Sequence, residues 1–162
     1  MKWAWASLLV LALVASGCGG GTKGPSKADY IARADRICLT TKTQTAPLVR
    51  QLADAASGSV SAAQARRLAG VVSRLHTMGA GYLARLQRLE EPSGDRAEIQ
   101  RFLAASREVV DALGQATSEL RAGNVTGALA LLQAGTPTVE RANAAAQAYG
   151  FKQCVSVLPS GS

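Results

Sequence analysis

One histidine, His76, and three cysteines, Cys18, Cys38 and Cys154, are where neutral-pH proton transfer, thiol chemistry or soft-metal binding would have to sit in this chain. Their spacing argues against most such chemistry. A di-iron bundle needs Glu-x-x-His pairs, and the residue three before His76 is Ser73. Covalent haem needs Cys-x-x-Cys-His, which does not occur. Met78 follows His76 by two positions, so on a helix the two side chains leave on different faces. No nucleophile-elbow pattern supports serine hydrolysis. No catalytic, cofactor-binding or metal-binding residue is therefore assigned, and the domain is read as not an enzyme.

The N-terminus has the parts of an export signal. Lys2 supplies positive charge, Trp3 to Ala15 form an apolar run, and Ala15-Ser16-Gly17 are the small residues that precede a cleavage site. The run of about 13 residues is shorter than the ~20 that a spanning helix needs. Val14-Ala15-Ser16-Gly17-Cys18 resembles the lipobox of bacterial lipoproteins, with Ala15 at a position where leucine is most often found. The resemblance implies lipidation of Cys18, which becomes the new N-terminus. It also implies an exported protein anchored to the outer face of the bacterial cytoplasmic membrane, and so a membrane contact through covalent lipid. With Cys18 so used, Cys38 and Cys154 are left to pair as a disulfide outside the cytoplasm.

The elements between these points read as helices. Alanine is abundant, and of seven aromatic residues Trp3 and Trp5 fall in the apolar leader. Residues 1–17 read as a signal peptide, 18–26 as a lipidated flexible tether, 27–158 as a four-helix domain and 159–162 as a disordered tail. The glycines of Gly19-Gly20-Gly21-Thr22-Lys23-Gly24-Pro25 give the tether a reach of only ~15 Å.

Helix 1 starts after Ser26, with Asp29 placed for a near-capping box, and Pro47 should kink or divide it. Ser61 and Gln64 form a capping-box pair for helix 2. Its stripe is Leu68, Val72, Leu75, Gly79, Tyr82, Leu86 and Leu89. Asp95 and Glu98 open helix 3, striped by Ile99, Phe102, Ser106, Val109, Leu113, Ala116 and Leu120. Gly123 ends it and Asn124 caps helix 4, which Gly135-Thr136-Pro137 interrupts, with Thr136 placed to cap the restart. Four such helices joined by short turns predict an all-α fold, an up-down-up-down four-helix bundle. Only an even helix count returns the tail carrying Cys154 to the end where helix 1 starts, so the disulfide and the topology require each other.

Two features point toward binding. No acidic residue lies between Asp54 and Glu90, whereas Arg66, Arg67, Arg74, Arg85 and Arg88 all do. The net charge is +7, or +6 once Lys2 leaves with the leader. Such a surface suits anionic lipid headgroups or acidic wall polymers, and it equally suits a solvated helix face. Nucleic acid is excluded as a partner by the exported location and by the lack of an aromatic platform among the arginines. Thr41 and Thr45, Gly79, Ser106 and the Gly135–Pro137 break make all four stripes small or polar at a similar level. That pattern fits close helix approach with hydroxyls bonded to their own carbonyls. It also fits a ligand pocket lined by Thr41, Thr45, Tyr82 and Thr136.

Beyond the lipobox, Tyr30-Ile31-Ala32-Arg33-Ala34-Asp35-Arg36-Ile37-Cys38 and Tyr149-Gly150-Phe151-Lys152-Gln153-Cys154 resemble segments of small helical lipoproteins and secreted proteins of uncharacterised role in high-GC Gram-positive bacteria. The resemblance implies a helical domain with paired cysteines and brings no catalytic residue. The expected function is a lipid-anchored, non-enzymatic binding or interaction module that meets an unknown envelope protein. The alternative is a carrier or sensor for a small molecule or lipid held between the helices.

Overall fold

The computed structural model describes residues 24–56 and 61–155. Among them lie α1 (Lys27–Ala56), α2 (Ala62–Gln87), α3 (Arg96–Arg121), α4 (Val125–Ala134) and α5 (Thr136–Tyr149). No described helix is long and apolar enough to cross a membrane. The chain forms an up-down-up-down four-helix bundle whose fourth arm is α4 followed by α5. The signal segment, Cys18 and the tether as far as Lys23 lie outside the described residues, as do residues 57–60 and 156–162. Gly24 and Pro25, at the end of the expected tether, are half-buried, and Gly24 lies against Glu90 and Glu91 of the α2–α3 connection.

The local signals act much as their chemistry requires. Ser26 accepts from the Asp29 amide at 3.1 Å and donates to the Asp29 carboxylate at 2.7 Å. Ser61 and Gln64 close a full capping box on α2. Asn124 accepts from the Gly127 amide at 3.0 Å. Gly123 and Gly150 take the left-handed conformation, at φ 81° and 104°. There an L side chain would crowd the following carbonyl.

Two local expectations need correction. Pro47 does not divide α1, which runs unbroken through it. Pro47 is exposed, so the Thr43 carbonyl it deprives of a donor faces the solvent side, while the buried Thr45 and Leu48 on either side hold the helix in place. Thr136 does not cap α5. Gly135 stays right-handed, at φ −73° and ψ −17°, and serves both as C-cap of α4 and N-cap of α5, with no side-chain cap bond. Asp95 and Glu98 do open α3, Asp95 at its N-cap but without a side-chain cap bond; its carboxylate accepts the Tyr149 hydroxyl at 2.8 Å.

The apolar residues form two separate clusters along the bundle. At the end where α1 begins and α5 stops, Tyr30, Cys38, Leu86, Ile99, Phe102, Leu103, Tyr149, Phe151 and Cys154 pack together. Phe151 sits among the other rings, 5.0 Å from Phe102, 4.9 Å from Tyr149 and 6.1 Å from Tyr30 between centroids. The Cys38–Cys154 disulfide fastens α1 to the C-terminal tail, with Cα atoms 4.9 Å apart. Asp35 adds a polar clamp, its carboxylate accepting the Lys152 and Gln153 amides at 3.1 and 2.8 Å. At the far end Leu48, Leu68, Val72, Leu75, Leu113, Ala116, Leu120 and Ala128 form the second cluster.

The helices do not close the ring evenly. α1 packs on α2, α2 on α3, and α3 on both α4 and α5, whereas α2 is the one helix against which α1 packs extensively. The α1–α5 seam is joined chiefly at its lower end, by the disulfide, the aromatic group and Asp35. Midway along the bundle α2 and α3 come very close: a Cβ on Gly79 would lie 2.8 Å from Cγ2 of Val110.

Candidate functional site

Between the two clusters the bundle holds a cleft of about 60 Å³, half open to solvent. That exceeds the ~10–15 Å³ needed for a single water. Thr41 and Thr45 line it from α1, Leu75, Gly79 and Tyr82 from α2, Phe102, Ser106, Val109, Val110 and Leu113 from α3, Val139, Ala142 and Asn143 from α5, and Cys154 from the tail. Of the neighbouring helix pairs that line it, α1–α2, α2–α3 and α3–α5 pack extensively, whereas α1 and α5 do not.

Three of the four residues expected to line a pocket do so: Thr41, Thr45 and Tyr82. Thr136 does not. Gly135 stands level with Ala112, whose Cβ is 4.0 Å from where a Gly135 Cβ would be. At 1.5 Å per residue, Ala112 is about 9 Å along α3 from Ser106. The break in the fourth arm is thus nearer the upper cluster, and α5 reaches the cleft one to two turns later. Val139, Ala142 and Asn143 had no distinguishing mark, because an apolar stripe reads the same whether it meets side chains or a gap. Gly79 and Ser106 were visible as small or polar interruptions.

The polar groups of the cleft are engaged inside the protein. Thr41 donates to the Ile37 carbonyl at 2.9 Å and accepts from Nη2 of Arg85 at 2.9 Å. Thr45 donates to the Thr41 carbonyl at 3.0 Å. These are back-bonds to the preceding turn, which satisfy the hydroxyl without any outside partner. The Tyr82 hydroxyl lies 3.6 Å from Sγ of Cys38, which as half of a disulfide has no proton to give and accepts. Asn143 also has a partner. No buried side-chain nitrogen or oxygen among the described residues lacks one.

Burial also controls the phenols. It pushes Tyr30 up to about 12, with the nearby Glu91 charge adding to the effect. Burial raises Tyr82 well above the usual phenol range, a hydrogen bond from Ser106 acting weakly against it. Tyr149 is raised too, first by burial and then by its bond to the Asp95 carboxylate. These are all the tyrosines in the chain, so phenol absorbance reports on the core alone. The folded state binds these protons more tightly than the unfolded state. Stability is therefore complete below the ordinary phenol value of 10.0 and falls as pH climbs toward 12. Tyrosinate absorbance is expected to rise together with loss of the helical circular dichroism signal; stepwise ionisation near pH 10 with the helices intact would contradict this.

Arg66, Arg67, Arg74 and Arg85 of α2 and Arg88, its C-cap, are all exposed. At 3.6 residues per turn they fall within an arc of about 100°, on the side of the helix away from the core. Arg66, Arg67, Arg74 and Arg88 have no ion pair among the described residues. Arg85 differs, because its bond to Thr41 ties α2 to α1. His76 is half-buried against Gly114 of α3, with Nε2 3.2 Å from where a Gly114 Cβ would lie. No group of three or more metal-ligating side chains gathers among the described residues. In comparisons with known proteins, the chain matches no family model, no curated protein and no solved structure.

Proposed function

We propose that this chain is an exported bacterial lipoprotein, lipidated at Cys18 and held on the outer face of the cytoplasmic membrane. There it acts as a non-enzymatic binding protein whose site is the mid-bundle cleft. The address rests on the residue pattern Val14 to Cys18, and the binding role on one structural observation: both core clusters stop at the same level and leave an open cleft between them. A bundle of this size gains stability by filling such space, since each missing contact weakens the lining. A cleft opening through the one seam without extensive helix packing gives a ligand both room and a way in. Protein purified from membranes and examined by native mass spectrometry should start at Cys18 with added acyl mass. It should also carry one non-covalent molecule per chain, lost when Ala142 is replaced by phenylalanine. A ligand-free mass under gentle conditions, together with no cleft binding by any added solute, would remove the binding role.

A further inference from the structure

The lining of the cleft restricts what can occupy it. Apart from Tyr82, which stays neutral, no ionisable side chain faces it, and its walls are chiefly Leu75, Phe102, Val109, Val110, Leu113 and Val139. A charged ligand would lose its hydration there, and the nearest opposite charge for an anion, Arg85, is already bonded to Thr41. A neutral polar ligand would also fare poorly. The Thr41, Thr45 and Tyr82 hydroxyls already have partners in the protein, so bonding a ligand would mean breaking bonds the fold has made. The γ-methyl is what each threonine has left to offer.

Shape points the same way. The lining runs along α3 from Phe102 to Leu113, about 16 Å at 1.5 Å per residue, and along α2 from Leu75 to Tyr82, about 10 Å. The residues that touch the space thus spread along the helix direction, from Phe102 and Cys154 at one end to Leu75 and Leu113 at the other. The α1–α5 side is the one across which no extensive helix packing lies.

We propose that the cleft takes the end of an uncharged hydrocarbon chain, the tail of a lipid, and leaves the rest of the chain and the polar head outside it. This rests on the reading of the cleft as the binding site and adds the class of its ligand. A tail end seated in the cleft buries apolar surface at about 25 cal/mol per Å² and asks for no hydrogen bond. Recognition is then by the apolarity and thickness of the chain, and the head group contributes little.

The test uses 1-octanol and octanoate, which share a chain and differ in the head, with glucose as a polar solute. Methyl NMR of the full-length protein should show saturable shifts at Val109, Val110 and Val139 with both octyl probes. Their affinities should agree within about threefold, and glucose should have no effect. Ala142→Phe should weaken octanol binding at least tenfold. Should Ala142→Phe fail to fold, octanol carrying a terminal diazirine provides the second measurement. Its crosslink should fall on the peptides holding Leu75–Tyr82 or Phe102–Leu113, and labelling elsewhere would overturn the proposal. If glucose shifts the cleft methyls and octanol does not, the hydrocarbon ligand is wrong while the cleft remains a binding site. If no probe and no membrane-derived molecule reaches the cleft, both readings fall.

Discussion

Replacing Cys38 and Cys154 together by alanine is expected to cost about 4–5 kcal/mol of folding stability. The bridge spans a sequence separation of 116, and loop-closure entropy for a ring of that size gives this value in the chain-entropy account. Native-state losses act in the same direction. Both sulfurs are buried, Cys38 at 0% and Cys154 at 3% exposure, so truncation leaves unfilled volume beside Tyr82. Denaturant titration should show the loss, with a melting temperature lower by on the order of 15 °C. Reduced wild-type protein should move in parallel. A loss below about 1 kcal/mol would mean that the tail stays docked without the bond and that the α1–tail join is carried by packing alone.

The second large effect is expected from Phe151→Ala, at about 3–5 kcal/mol. Phe151 follows Gly150 just past the end of α5, is 4% exposed, and touches Tyr30, Phe102 and Tyr149 at once. Few residues in so alanine-rich a core bury comparable area, and edge or tilted ring contacts add about 0.5–1.5 kcal/mol beyond burial. The same denaturant experiment measures it. The two effects should not add. Disulfide and ring both fasten the tail to the lower cluster, so the combined variant should lose less than the sum of its parts. Full additivity would show that ring cluster and bridge stabilise the fold independently. A loss under 1 kcal/mol for Phe151→Ala would mean that the tail contributes only its sulfur.

The disulfide was legible from cysteine arithmetic, whereas Phe151 stood only as one residue of a tail segment, with no role attached to it. Both lie in the same short tail, yet only the cysteine belongs to a type whose number constrains its pairing. A phenylalanine outside a periodic stripe carries no such constraint. Asp35 is a similar case: on the page it is one more charged residue on an amphipathic helix. Its role as acceptor for two tail amides depends on where the tail runs after Gly150. Asp95 stands at the N-cap of α3 as its position suggests, but its carboxylate takes a phenol from α5 and makes no cap bond. Caps whose partners are local, such as Ser61–Gln64 and Asn124–Gly127, were readable because donor and acceptor lie three residues apart and nothing distant intervenes.

The level at which the stripes turn small or polar could be found by lining up helix midpoints, since each helix advances a fixed distance per residue. Thr41, Thr45, Gly79 and Ser106 do meet there. Thr136 does not, because α4 enters the bundle at its own height, set by Gly123 and Asn124 and by packing on α3. Whether the meeting point is filled was also beyond the pattern, since periodicity records which face is apolar and not how closely two faces approach.

By itself the amino-acid sequence determined helix number, most helix ends, the bundle topology and the Cys38–Cys154 pairing. These depend on contacts a few residues apart, or on counting. Only the tertiary structure decided that α1 survives Pro47 and that Gly135 joins two helices without a cap. It alone decided that the α1–α5 seam stays open and that the cleft's hydroxyls are already bonded. The physical reason is the same in each case: the outcome depends on distances between elements, and those are set by the packing of every helix at once.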